Sequence, residues 1–262
     1  MSKVTTEVRG RTLVITINRA EKRNCVDGET ARLLHDAWIR LRDDDAIWVG
    51  VLTGAGDVAF SAGADLSALT SLGPPGGLDA SPQAMRRFVE DGPGFLGYTR
   101  GVDIDKPILA AVNGFALAGG LELACLADLR VCEEHAELGV ACRRWGVPLV
   151  DGGTQRLPRI VGMGRAMDLI LTGRSVKADE ALAMGLVNEV VPKGASLARC
   201  LELAEALCAF PQTAMRTDKR AAQQGFGRPL AEGLRIEAEL GRWALQDPEM
   251  IAGARRFLGG AR

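Results

Sequence analysis

One stretch places a carboxylate where chemistry could use it. In NGFALAGGLELA, residues 113–124, the small residues Ala118, Gly119 and Gly120 precede Glu122 inside an otherwise apolar run. If a helix begins near Ala118, the N–H of Gly119 has no intrahelical acceptor and points outward at the positive end of the helix dipole. Such a group can hold an oxyanion, and glycine lets a ligand come close to the backbone. Glu122 follows about 300° around the axis and about 4.5 Å along it, nearly on the same face. A carbonyl oxygen held at Gly119 would then have a carboxylate beside its α and β carbons, the arrangement needed to move a proton there. The same glutamate has a reading without chemistry, because a carboxylate in a first helical turn is favoured by the dipole and can reach back to a free N–H.

A second stretch repeats the design. FSAGADLSAL, residues 60–69, runs from an apolar strand end through Ala62, Gly63 and Ala64 to Asp65, where a new helix could start. Two backbone donors from different segments converging on one carbonyl oxygen form an oxyanion hole, each donor being worth about 10²–10³-fold in rate. Either motif alone is a common turn.

The elements that must carry these turns alternate between strand and helix. RTLVITIN (11–18) alternates as a half-buried strand does, and the following segment spaces Leu33, Leu34, Ala37, Trp38 and Leu41 on one helical face. IWVGVLTG (47–54) and PILAAVNG (107–114) read as buried strands, the second running directly into the Gly119 turn, and DLRVCEE is a further strand. SLGPPGGLDASP (71–82) reads as a loop without regular structure, and the longer loop 71–98 has no readable pattern. Beyond about residue 153 the pattern turns mostly helical. These signals predict an α/β core over residues 1–195 and a helical region over 196–262 that packs on the core or on a neighbouring subunit.

Composition narrows the function classes. The 262 residues are 47% hydrophobic and 25% charged with a net charge of −1, so nothing favours nucleic acid or an anionic membrane as a partner. No segment reaches the roughly 18 uncharged apolar residues of a membrane span, and the first residues lack a secretory pattern, which predicts a cytoplasmic protein. The six cysteines (Cys25, Cys125, Cys132, Cys142, Cys200 and Cys208) form no CxxC pair or Cys/His cluster, so no metal site is expected. A dinucleotide-binding dehydrogenase lacks its G-x-G-x-x-G after TGAGDVAF, and a serine hydrolase lacks G-x-S-x-G. His35 and His135, the two histidines, sit in an amphipathic helix and a polar segment and read as structural or solvated.

NRAEKRN, FSAGADL, KPILAAVNGFALAGGLELACLADLR, GGTQRLPRIVG (152–162) and LTGRSVKADEALAMGLVNEVV (171–191), in this order, resemble the enoyl-CoA hydratase/isomerase, or crotonase, family along nearly the whole chain. The resemblance implies an α/β crotonase-like spiral of repeated ββα units with a C-terminal helical oligomerisation region, assembled as a homotrimer or as a hexamer made of two trimers. It implies an acyl-CoA thioester as substrate, with coenzyme A part of that substrate and no other cofactor. Carried onto this chain, the two oxyanion donors are the N–H groups of Ala64 and Gly119, and Glu122 matches the first catalytic carboxylate. The CoA contacts map onto Arg23, suited to phosphate, and onto the backbone of Ala62, Asp65 and Leu66 beside the adenine. Arg23 also has the plainer reading of a solvated loop charge.

The chain departs from the standard two-glutamate hydratase. Counting from Gly139 and Gly146 puts Cys142 at the second glutamate position, and a thiol cannot orient water as a carboxylate does. Arg143 and Arg144 could lower its pKa, but a buried inert thiol is the favoured reading. Asp151 lies nearby, one residue after Val150, where relatives such as dienoyl-CoA isomerases carry a catalytic Asp. It is a candidate second acid, and equally a turn residue or a helix cap before Gly152 and Gly153. With Glu122 alone double-bond isomerisation is natural, and with Asp151 helping hydration returns. A non-catalytic acyl-CoA-binding protein would keep the turns and lose the second acid, but the retained Glu122 argues against it.

Overall fold

Strand β1 (Val4–Arg9) pairs antiparallel with β2 (Thr12–Ile17), and every later strand of the same sheet runs parallel to its neighbour. In this computed structural model, which describes residues 1–101 and 103–259, the sheet has the order β1, β2, β3 (Val49–Gly54), β5 (Ile108–Val112), β7 (Leu129–Glu133) and β10 (Glu189–Val191). A second sheet orders β4 (Ala59–Ser61), β6 (Phe115–Leu117), β8 (Glu137–Gly139) and β9 (Ser175–Lys177). The chain alternates between them. β3, β5 and β7 each lie in the large sheet, and the strand that follows each of them lies in the small one. The path is therefore the expected spiral of ββα turns, and each turn sends the chain past the same edge.

Side-chain alternation explains why the large sheet is covered on both faces. Leu13, Ile15, Ile17, Leu52, Ala110, Val112 and Cys132 join the main core, which also takes in helix α1 (Gly28–Asp43) through Leu34, Ala37, Trp38 and Leu41. Val14, Val49, Val51, Leu109, Ala111 and Val131 face the other way, onto Cys200 and Ala204 of α7 (Ser196–Ala209). A period-2 pattern with both phases apolar is what a parallel sheet between two layers requires. Thus α7, the first helix of the segment 196–262, is a cover of the sheet. Residues 260–262 of that segment lie outside the described residues.

The remaining C-terminal helices are α8 (Gln212–Gly225), α9 (Leu230–Ala244) and α10 (Pro248–Leu258). Lys219 ties α8 to the core by a 2.7 Å ion pair with Asp128 and a 2.9 Å bond to the Lys106 carbonyl. No residue of α9 or α10 is buried, and Leu230, Trp243 and Phe257 are 77%, 64% and 79% exposed.

Two buried asparagines hold the crossings between sheets. Asn24 donates to the carbonyls of Ala55 (3.0 Å) and Ala59 (2.6 Å) and accepts from Arg19 N–H, and Asn113 donates to the carbonyls of Gly54 and Gly56, both at 2.8 Å. Their bonds replace ladder partners that the turning backbone lacks. Among the elements that the periodicity does not show, two lie close to the Gly119 turn or in the stretch 71–98. β6 intervenes between strand 107–114 and the Gly119 turn, and α2 (Pro82–Asp91) occupies part of the stretch read as loop, capped by Ser81 with Pro82 in its first turn. The Ser-Pro pair is a helix-start signal that was available in the sequence.

Candidate active site

The two glycine turns meet. α3 (Gly119–Leu126) starts directly after β6, and its N-cap, Ala118, sits at φ 54° and ψ −121°. An alanine held there costs about 1–3 kcal/mol. The Ala118 N–H donates to Gly139 O at 2.8 Å, and its carbonyl accepts from Leu121 and Glu122, so strand and helix fix it from both sides. The turn at 61–65 is clamped by residues 23–26: Ala62 N–H donates to Arg23 O, Val26 N–H to Gly63 O, and Asp65 N–H to Val26 O, at 2.8–3.0 Å. Gly63 has φ +87°, and a Cβ added there would stand 2.6 Å from the Gly119 nitrogen. A Cβ on Gly119 would stand 3.5 Å from the Ala64 nitrogen, and one on Gly120 would collide with the Ser61 carbonyl. The small residues are thus required by the approach of one backbone to the other. Among the described residues neither the Ala64 N–H nor the Gly119 N–H has a hydrogen-bond acceptor.

The residues singled out for coenzyme A flank this turn. Arg23 is exposed, and its carbonyl holds Ala62. Leu66 is also exposed. The Asp65 side chain is buried and turned away, capping Ser67 and pairing with Arg19 at 2.9 Å, and its carboxyl lies below the usual range, first through the Ser67 hydroxyl.

Glu122, 3% exposed, lies on the first turn of α3. Its Oε1 accepts the N–H groups of Asp151 (2.9 Å) and Gly153 (2.8 Å). Burial, then the neighbouring Asp151 charge, pushes its carboxyl up to about 7, while the two N–H bonds and Arg156 pull it back. That value lets one group both take and return a proton near neutrality. Cys142 is buried close enough to feel the Glu122 charge, and burial followed by that charge raises its thiol, so it stays protonated and inert.

Asp151 is brought beside Glu122 through its backbone, while its carboxylate is engaged elsewhere. Oδ1 accepts the Leu96 N–H at 3.1 Å and the Thr99 hydroxyl, and burial raises the carboxyl despite them. The helix that follows, α4 (Gly153–Val161), has Gly152 as its N-cap, so Asp151 does not cap it. Sequence reasoning passed over the Gly153 N–H, Leu96, Thr99 and Arg156. A signal existed for the first: glycines at a helix start leave a free N–H, the argument already applied to Gly119. A cavity of about 1410 Å³ borders the turn, lined among others by Phe95, Thr99, Arg100, Val150 and Arg156. Among the described residues no group of three or more His, Cys, Asp and Glu is placed to hold a metal, and no helix is long and apolar enough to cross a membrane.

Comparison with known proteins shows the family. The model of the enoyl-CoA hydratase/isomerase family matches residues 7–259. The chain is 35% identical to a short-chain-enoyl-CoA hydratase of Clostridium acetobutylicum over 91% of its own length and 88% of that protein's. It is 37% identical to a crotonyl-CoA hydratase of Syntrophomonas wolfei, over 86% and 83% of the two chains. Its fold is similar to the crystal structure of enoyl-CoA hydratase EchA1 from Mycobacterium marinum, with a TM-score of 0.87, 34% identity, and 99% and 97% of the chains covered.

The buried carboxylate should show in stability. Its folded pKa of about 7 lies above the unfolded value near 4.5, so the folded state binds the proton more tightly. The stability this provides is complete below pH 4.5 and is lost as pH rises through about 7, a loss of about 3 kcal/mol. The difference between wild type and Glu122→Gln in urea denaturation should therefore swing by about 3 kcal/mol across that window, in favour of the variant at high pH. Parallel curves would show that Glu122 does not titrate anomalously.

Proposed function

Because the chain belongs to the enoyl-CoA hydratase/isomerase family and acts on acyl-CoA thioesters as an enzyme of that kind, we propose that it moves a single proton with Glu122 on an enolate held by Ala64 and Gly119. The observation that carries this reading is the buried Glu122 beside two N–H groups without acceptors, with the neighbouring carboxylate of Asp151 already hydrogen-bonded and a neutral thiol at Cys142. With a 3-enoyl thioester, ionised Glu122 takes a proton from the α carbon. The electron pair moves onto the carbonyl oxygen between the two N–H groups, and the same proton returns at the γ carbon to leave the 2-enoyl isomer. Each step needs one base and one oxyanion hole, and the preorganised N–H pair supplies the stabilisation at the oxygen. Coenzyme A is carried as part of the substrate, and proton transfer of this kind uses no further cofactor. Arg23, exposed beside this turn, would meet a CoA phosphate, and the backbone of Ala62, Asp65 and Leu66 would lie beside the adenine.

Hydration is the second reading, favoured by the hydratase names of the relatives. Glu122 would take a proton from water attacking the β carbon and pass it to the α carbon. Incubation with 2-enoyl-CoA and 3-enoyl-CoA in D₂O separates the two by product mass. Double-bond migration without added water is expected, with kcat/KM rising through about pH 7 as Glu122 ionises and Glu122→Gln inactive while still binding ligand. A gain of one water would establish the second reading, and an active Glu122→Gln would overturn both.

We further propose that α9 and α10 meet other copies of the chain in a trimer, alone or paired into a hexamer. Support comes from helices that hold no fully buried residue and expose Leu230, Leu234, Trp243, Phe257 and Leu258. Light scattering should give three or six times the 27.8 kDa chain mass, and a monomer would refute it. Six free thiols fit a reducing compartment such as the cytoplasm.

A further inference from the structure

Asp151 is tied to two parts of the site at once. Its N–H donates to Glu122 Oε1, while its carboxylate accepts from the Leu96 N–H and the Thr99 hydroxyl. The turn so held carries Leu96, 1% exposed, whose Cδ1 lies so close to Gly119 that any Cβ there would strike it. Gly94 has φ +99°, and a Cβ there would collide with the Thr99 hydroxyl and stand 2.9 Å from Asp151 Oδ1, so the glycine keeps this clasp closed. Arg156 completes the arrangement from below, donating to the Asp151 carbonyl at 3.1 Å.

We infer that Asp151 is a positioning residue: its main chain aims Glu122, and its carboxylate fastens the Gly94–Thr99 turn so that Leu96 roofs the Gly119 donor. The inference rests on the reading of Glu122 as acid/base. One side chain thereby couples the base to the wall of the oxyanion hole, and a loosened turn would admit water and a misplaced thioester together. Catalytic positioning of this kind is sensitive to displacements of about 1 Å. The charge of Asp151 acts on Glu122 in addition, and the other ionisable groups facing Glu122 are Arg156, Cys125 and Cys142, while Arg100, Arg156 and Glu122 lie around Asp151.

Two variants separate the two attachments. Asp151→Asn keeps an acceptor for Leu96 and Thr99 and removes the charge, so plateau kcat should stay within a few-fold of wild type while the acid limb of kcat/KM moves to lower pH. Thr99→Val keeps the charge and opens the clasp, so KM should rise about tenfold, the loss of one hydrogen bond to a buried carboxylate, with the acid limb still present. A hundredfold fall in plateau kcat for Asp151→Asn would make Asp151 a proton-transfer group and overturn the inference. An unmoved limb together with an unchanged KM in Thr99→Val would overturn it too. Glu122→Gln, assayed alongside, reports separately on the acid/base reading, because its activity would refute that reading whatever the Asp151 variants do.

Discussion

The site depends on the close approach of two backbones, the turn at Gly63–Ala64 and the first turn of α3 at Gly119–Gly120. Side chains cannot be interposed there. A Cβ on Gly63 would stand 2.6 Å from the Gly119 nitrogen, and one on Gly120 would meet the Ser61 carbonyl. The spiral makes the approach possible, because successive turns deliver β4 and β6 as parallel neighbours in the small sheet. The asparagines and the 23–26 segment keep it in register, and the strain at Ala118 is tolerated because its N–H and carbonyl are both fixed. On the proposed reading, the fold thereby gains a pair of N–H groups aimed in advance, which need not reorganise when a negative charge develops.

Beside that pair stands a carboxylate removed from water. Burying a charge is costly, and two N–H donors with Arg156 offset part of that cost, leaving Glu122 balanced near neutrality. With Glu122 as the proposed acid/base, stability and chemistry are therefore opposed at one residue. The thiol at Cys142 matters in the same account, since a second ionised carboxylate at that position would raise the cost of charging Glu122 further.

Much of this was legible in the sequence for a physical reason. Buried parallel strands write continuous apolar runs, so β3, β5 and β7 fall where 47–54, 107–114 and 128–134 suggested. β2 falls at 11–18 but is buried on both faces rather than half-buried as its alternation suggested, because α7 covers the second face. Glycines before a carboxylate at a strand end announced both turns. The short strands β6, β8 and β9 did not show, because three residues are too few to display a period, and α2 begins at the end of a Gly/Pro-rich stretch that reads as loop. Asp151 shows the other limit. Its nearness to Glu122 follows from chain position, but the direction of its carboxylate is set by Thr99 and Leu96, about fifty residues away in sequence, and no local pattern encodes that.

On the proposed reading, two N–H groups polarise one thioester carbonyl. Difference infrared spectroscopy on Glu122→Gln, bound to an enoyl-CoA labelled with ¹³C at the thioester carbonyl, measures this directly without turnover. The carbonyl stretch should move to lower frequency than in water and return toward its aqueous value when Gly119→Ala is added. A band at or above the aqueous frequency on binding would contradict it.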